Sequence, residues 1–293
     1  MGNTSSSLQL PHELVTDIFS KVKGHSSLAA LCGQTPIPFR GTDIMVFSMD
    51  GEMELVGEGD EKSPGDAAFE PVSIKPVKFV YQHRVTDEFV KMNDEARLPY
   101  LTAFGEGLTA KAARALDIGA FHGVNPKTGA DATSIKAKSF DVMVTGTVTY
   151  AAATADDNLQ DAVAAVQSND GIVTGIAMAP AFGAAMAQIK VNGVRQYPEF
   201  MFGANPGALN GMGVDINSTV TFGSSADRAI VGNFRNAFRW GYTESIPLEI
   251  IEYGDPDGLG DLKRKNQVVL RSEVYLGWGI LDASSFQRIV ASA

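Results

Sequence analysis

Few residues in this sequence stand at spacings that reaction chemistry requires. Gly105-Glu106-Gly107-Leu108-Thr109-Ala110 fits G-x-G-x-x-A, the pattern that lets a backbone approach a dinucleotide pyrophosphate. That use needs a strand before the glycines and a helix opening on them. Here the pattern lies inside a helical stripe that begins at Arg97, so its small residues read as packing positions. Asp255-Pro256-Asp257-Gly258 with Asp261 hints at a calcium loop, but Asn266 stands where an EF-hand places its glutamate. A solvated acidic turn is the expectation. His12, His25, His83 and His122 follow no H-x-x-x-H or H-E-x-x-H spacing and read as surface or packing histidines. No metal or cofactor is expected. There is no G-x-S-x-G elbow, and the single cysteine, Cys32, excludes an internal disulfide. Arg195 with Tyr197, Phe200 and Phe202 could stack bases, but in an acidic chain they read as loop anchors. Asn217-Ser218-Thr219 is a formal glycosylation sequon, and Gly2 with Ser6 a formal myristoylation pattern; neither decides anything by itself.

The elements that would position any site belong to a globular chain. Its 293 residues carry 24 Lys and Arg against 34 Asp and Glu, a net charge of −10. That excludes a protein that coats DNA, because such binding draws on clustered cations displacing counterions from phosphate. At roughly 150 residues per domain the prior is about two domains. No apolar run approaches the ~20 residues of a membrane span, and the N-terminus has neither the basic nor the apolar region of a secretory signal.

Residues 11–23 form an amphipathic helix, with Leu14, Val15, Ile18 and Val22 on one face. Residues 25–39 read as an extended arm. A strand at 43–56 and a second at 68–85 flank a charged, Gly- and Pro-rich tip; Pro71 and Pro76 exclude the second from the centre of a sheet. The pair reads as a long projection, and a lone hairpin is marginally stable in water, so it must lie on something else. A short helix follows Thr86. A long one runs from about Arg97 to Ala120, with Leu101, Phe104, Leu108, Ala112, Ala115 and Gly119 in a stripe and Pro99 in its first turn.

From about 140 the pattern becomes α/β: strand 140–150, helix 155–168, strand 172–178, helix 180–190. Asn192-Gly193 marks a hairpin turn. A Gly-rich loop occupies 199–213. Short strands follow at 214–222, 227–234 and 246–253, and the chain ends in strands over 266–281 and 285–291.

The catalytic inventory is therefore nearly empty, and what remains is shape: an arm, a long hairpin, a long helix and an α/β region. That order resembles the major capsid protein of tailed bacteriophages, with the Hong Kong 97-type fold, over nearly the whole chain from about Pro11. Pro11 to Ile18 resembles the arm helix. Glu58-Gly59 with Lys62-Ser63-Pro64 resembles the tip of the extended loop. Val77-Lys78-Phe79 with Arg84 to Phe89 resembles the return strand and the short helix before the spine. Leu101 to Gly129 resembles the spine helix and its following loop. Thr174 to Pro180 resembles an axial-domain strand and helix.

The resemblance implies an α+β chain with an N-terminal arm at 1–42 and an extended loop at 43–82. It puts a peripheral domain at 83–149 and 244–279, and an axial domain at 150–243 and 280–293. It implies no small-molecule chemistry but an icosahedral shell enclosing a tailed phage's genome, first as a procapsid and then expanded. Implied partners are other copies in pentamers and hexamers, a portal protein and a decoration protein. A scaffolding protein is expected to be separate, since the arm starts almost at Met1. Double-stranded DNA would be enclosed without strong binding, assembly would take place in the host cytoplasm, and no membrane is involved.

One covalent step is also implied. Some members of the family lock the shell when a tip lysine attacks a neighbour's asparagine while a glutamate takes the proton. Lys62 stands at the tip, and Lys265 to Glu273 resembles the segment carrying Asn266 and Glu273. Lys62 serves equally well in an ordinary intersubunit ion pair. An encapsulin-type cargo compartment is the nearest alternative reading, and an α/β enzyme a distant one.

Overall fold

The computed structural model describes residues 25–50, 53–59, 61–91, 94–243 and 248–292; the helix expected at 11–23 lies outside them. The segment expected to be extended instead begins with helix α1 (Ser27–Leu31). Ser26 caps it by accepting from the Ala29 amide at 3.1 Å. Five residues show no usable periodicity, so the Ser26 cap is the one local signal for this helix.

Strands β1 (Thr42–Asp50) and β2 (Asp66–Ile74) pair antiparallel along their whole length as a separate two-stranded sheet. The single strand expected over 68–85 is two. After Lys75-Pro76 the chain resumes as β3 (Val77–Thr86), which pairs with β13 (Gln267–Ile280) and not with β1. A proline gives no ladder hydrogen bond, and here it separates two sheets. Strand β13 is the axis of a four-stranded sheet: β3 lies along one edge, and β11 (Phe238–Tyr242) and β12 (Leu248–Ile251) share the other. Strand β11 was not expected.

Helix α2 (Glu88–Lys91) precedes α3 (Asp94–His122). At ~1.5 Å per residue the 29 residues of α3 span roughly 43 Å. The helix starts before Arg97, which puts Pro99 in its second turn and not its first. The expected stripe is the buried face: Phe104, Leu108, Ala112 and Ala115 are all inside. Short helices α4 (Thr133–Lys136) and α5 (Phe140–Met143) follow. The strand expected at 140–150 is thus helical at first, and only β4 (Thr147–Tyr150) is extended. Phe140 explains this. It is fully buried, edge-on to Phe121 and Phe286, in an aromatic cluster that closes the core around α3.

The second core lies around a six-stranded sheet ordered β4-β14-β10-β5-β9-β8. Its other members are β5 (Gly175–Met178), β8 (Ala208–Leu209), β9 (Met212–Ile216), β10 (Asp227–Gly232) and β14 (Phe286–Ala291). Helix α6 (Ala155–Gln167) buries Ala155, Leu159, Ala162 and Val166, one helical face. Helix α7 (Pro180–Gln188) has proline at its first position, as expected. Asn192 and Gly193, both at positive φ, turn β6 (Lys190–Val191) into β7 (Val194–Arg195).

Candidate assembly interface

The β1–β2 hairpin presents an apolar face to solvent. Met45, Phe47 and Met49 alternate along β1 and therefore share one face. All three are at least half exposed, and Phe69, directly opposite Phe47 with ring centroids 4.9 Å apart, is 64% exposed. Beyond them Met53 and Leu55 are almost wholly in solvent. An exposed apolar surface of this kind on a two-stranded ribbon marks a surface that is completed by something else. Its tip is strongly acidic: from Asp50 to Glu70 eight carboxylates accompany one amine, that of Lys62.

The hairpin is rooted through glycines. Ile74 is buried against Gly279, where an added Cβ would stand 2.9 Å from Ile74 Cγ1. The incoming segment lies on Gly241, where an added Cβ would stand 1.7 Å from the Thr35 carbonyl oxygen. The Thr35 amide donates to Trp240 and that of Ile37 to Tyr242, so residues 34–37 extend the sheet beyond β11.

A groove of about 900 Å³ opens between β3, β13, α3 and residues 125–135. Leu108 and Ile118 lie in its floor, and Lys78, Lys111, Arg114, Lys127 and Arg271 line it against a single carboxylate, Glu273. In a chain of net charge −10 this is a local reversal of sign.

Two polar clamps fix the elements around these surfaces. Asp117, on α3 and fully buried, accepts from the Ser26 hydroxyl at 2.5 Å, the Ser27 amide at 2.9 Å, the Leu28 amide at 3.3 Å and the Thr219 hydroxyl at 2.7 Å. Burial pushes its carboxyl up to about 6, and the four donors oppose that. Arg84, on β3, reaches Asp257, Asp255 at 3.2 Å and the Gly260 carbonyl at 2.8 Å. Its hydrogen bonds hold the Asp257 carboxyl down at about 2. The turn expected to be solvated is therefore clamped by the Arg84 guanidinium. Neither clamp shows in the sequence, since the partners stand 91 and 173 residues apart.

The residues singled out from the sequence fall as follows. Gly105 to Ala110 lie inside α3, where the Thr109 hydroxyl bonds back to the Gly105 carbonyl at 2.8 Å, so no phosphate loop forms. Phe200 is buried as a loop anchor, but Phe202 is 97% exposed. Burial pushes the Cys32 thiol up to about 11, which leaves it inert as a nucleophile. Lys62 is exposed near the hairpin tip. Asn266 is exposed in a left-handed turn before β13. Glu273 lies along β13 and pairs with Lys78 at 2.8 Å. At ~3.3 Å per residue, Asn266 and Glu273 are roughly 23 Å apart along that strand.

The phage capsid family model matches residues 7–291. The chain belongs to the phage capsid family. Among solved structures, a chain from Mycobacterium phage Ogopogo is 31% identical, with a TM-score of 0.77 over 92% of both chains. One from Gordonia phage Cozz is 25% identical, with a TM-score of 0.74 over 92% of this chain and 87% of that one. The capsid of a native GTA particle, 13% identical with a TM-score of 0.65 over 100% of this chain and 95% of that one, shares the fold. Among curated proteins none matches. This phage capsid family member has the Hong Kong 97-type fold and is a major capsid protein, a structural subunit of the virion shell. The encapsulin and enzyme alternatives are not favoured. Among the described residues no helix is long and apolar enough to cross a membrane.

Proposed function

We propose that the shell is built by laying the β1–β2 hairpin of one copy over the groove between α3 and β3 of the next. The observation that carries this reading is complementarity. The hairpin has an apolar face and an acidic tip, and the groove has an apolar floor and a cationic lining. Hydrophobic burial would supply affinity, and the charges would set register and suppress wrong contacts. Charge reversal tests it. Lys111→Glu should block closed shells in electron micrographs, and Glu58→Lys with Glu61→Lys in the same chain should restore them. Normal shells from Lys111→Glu alone would overturn the reading.

The wider assembly belongs to the same proposal. On this reading the arm, extended loop, peripheral domain and axial domain follow the order read from the sequence, with the loop ending at β2, β3 and β11 going with β13 in the peripheral domain, and β4 going with β14 in the axial domain. Copies associate as pentamers and hexamers in the host cytoplasm, first as a procapsid on a separate scaffolding protein, with a portal at one vertex. Expansion then accompanies packaging of double-stranded DNA, which an acidic shell encloses without strong binding, and a decoration protein binds outside. Shells formed only when neighbouring genes are co-expressed would support the separate scaffold; closed shells from this chain alone would remove the need for one.

Cross-linking by Lys62, Asn266 and Glu273 is a further proposal about that shell. The ~23 Å between Asn266 and Glu273 means that one lysine reaches both only if different copies supply them. The lysine amine would displace the carboxamide nitrogen, giving an isopeptide bond and ammonia, with Glu273 accepting the amine's proton. Denaturing gels of mature shells decide it: ladders that vanish in Lys62→Arg support it, and monomer bands alone overturn it.

A further inference from the structure

Where the end of α3 meets the six-stranded sheet, four side chains form a largely buried cluster apart from the hairpin and the groove. His122, the last residue of α3, is 2% exposed. Its Nε2 lies 2.9 Å from the Thr219 carbonyl oxygen. A carbonyl can only accept, so Nε2 carries the hydrogen, and in the neutral ring Nδ1 presents a lone pair. That Nδ1 lies 3.2 Å from Asp141 Oδ2, which as a carboxylate oxygen can also only accept. Two lone pairs this close require a positive centre between them.

Arg288 does not supply it, because it is engaged on the far oxygens. Its guanidinium donates to Asp141 Oδ1 at 2.8 Å, lies 2.9 Å from Asp227 Oδ1, and takes the Asp141 carbonyl at 3.0 Å. Asp227 is completely buried, no N–H or hydroxyl donor reaches its second oxygen, Oδ2, and its carboxyl lies within hydrogen-bonding range of that of Asp141. One ligand atom each of His122, Asp141 and Asp227 lies within 4.8 Å of the other two.

We propose that His122, Asp141 and Asp227 bind a divalent transition-metal ion, zinc by preference. Three protein ligands with one open position is a recurrent zinc arrangement. With bonds of about 2.0–2.1 Å, ligand atoms around a tetrahedral ion stand roughly 3.3 Å apart, close to the spacing of Nδ1 and Oδ2. The outer contacts are those of a metal site: the imidazole's other N–H is fixed on a backbone carbonyl, and the ligating carboxylates are themselves hydrogen-bonded. An imidazole in the set favours zinc over magnesium or calcium. Asp141, one-fifth exposed, is the most exposed of the three. The ion ties α3 and α5 to β10, the strand on which Asp227 stands.

The test uses the full chain, stripped with EDTA and returned to zinc chloride alone, with bound zinc measured by mass spectrometry and stability by thermal unfolding. The expected result is stoichiometric zinc and a saturable rise in Tm. Asp227→Asn and His122→Gln should weaken binding at least tenfold, as loss of a ligand or of its outer partners does. His122→Gln keeps an N–H donor for the Thr219 carbonyl and decides the matter if Asp227→Asn does not fold. Equal, substoichiometric zinc in wild type and variants, or a Tm indifferent to zinc and EDTA, overturns the proposal and assigns a proton to the gap. The site lies within one chain, so this result is independent of whether shells close.

Discussion

The Ser26 hydroxyl donates to Asp117 Oδ1 at 2.5 Å, so the first described helix is fastened to the middle of the long helix α3. The same carboxylate also takes the amides of Ser27 and Leu28, the donors a helix start leaves open. Asp117 thus caps a helix 90 residues away in the chain.

Removing that carboxylate strands four donors in a site without solvent. Asp117→Ala should destabilise the unassembled subunit by about 3 kcal/mol, read from urea unfolding. Asp117→Asn retains an acceptor and should lose less.

The Arg84 clamp should respond to acid. Its hydrogen bonds lower the folded Asp257 carboxyl to about 2 from an ordinary value of 3.8. A depressed carboxylate contributes stability that is present above the unfolded value and lost as pH falls through the folded one. Pepsin cleavage near Tyr253 and Leu259 should therefore be slow at about pH 4.5 and faster near pH 2. Arg84→Gln should be cleaved readily at both.

The hairpin face should matter to assembly and not to folding. Phe47→Asp places a charge on a surface that is already wet in the lone subunit, so its unfolding free energy should change by less than ~0.5 kcal/mol. Shells should be absent from micrographs of the same preparation.

Gly241 is a packing requirement. An alanine there would drive its Cβ to 1.7 Å from the Thr35 carbonyl oxygen, which is backbone and cannot rotate away. Gly241→Ala should cost roughly 1–3 kcal/mol or more in thermal unfolding and loosen residues 34–37 to proteolysis.

Much of this fold was legible where a pattern repeats. The α3 stripe, the α6 face, Pro180 at the start of α7 and the Asn192-Gly193 turn all follow local rules. The misreadings have tertiary causes. Helix α1 rests on the Ser26 cap, a local signal too slight by itself to fix five residues, and on Asp117, which stands about 90 positions away and has no local signature. Residues 140–143 coil into helix because Phe140 enters an aromatic core with Phe121, Phe234, Phe238 and Phe286, drawn from three other segments. Strand β11 is buried along most of its length, so it shows no alternation to read. The site was legible as shape, from the projecting hairpin and its charged tip. The groove's cations come from β3, α3, β13 and the loop at 127, and only folding collects them. His122 read as a packing residue because the two aspartates that face it lie 19 and 105 positions further on.

The break at Lys75-Pro76 carries a mechanical consequence. Strand β2 belongs to the hairpin and β3 to the sheet around β13, and Pro76 has no amide hydrogen to bridge them. On the other side, the hairpin joins the body through the Phe39-Arg40-Gly41 turn, where Gly41 holds a φ of 85°. The blade is thus joined to the body by two short segments, while its base at Ile74 is held against Gly279. Were the hairpin re-aimed in a shell, these two short joints are where the backbone would turn, with β1 and β2 still paired to each other and β3 still paired to β13.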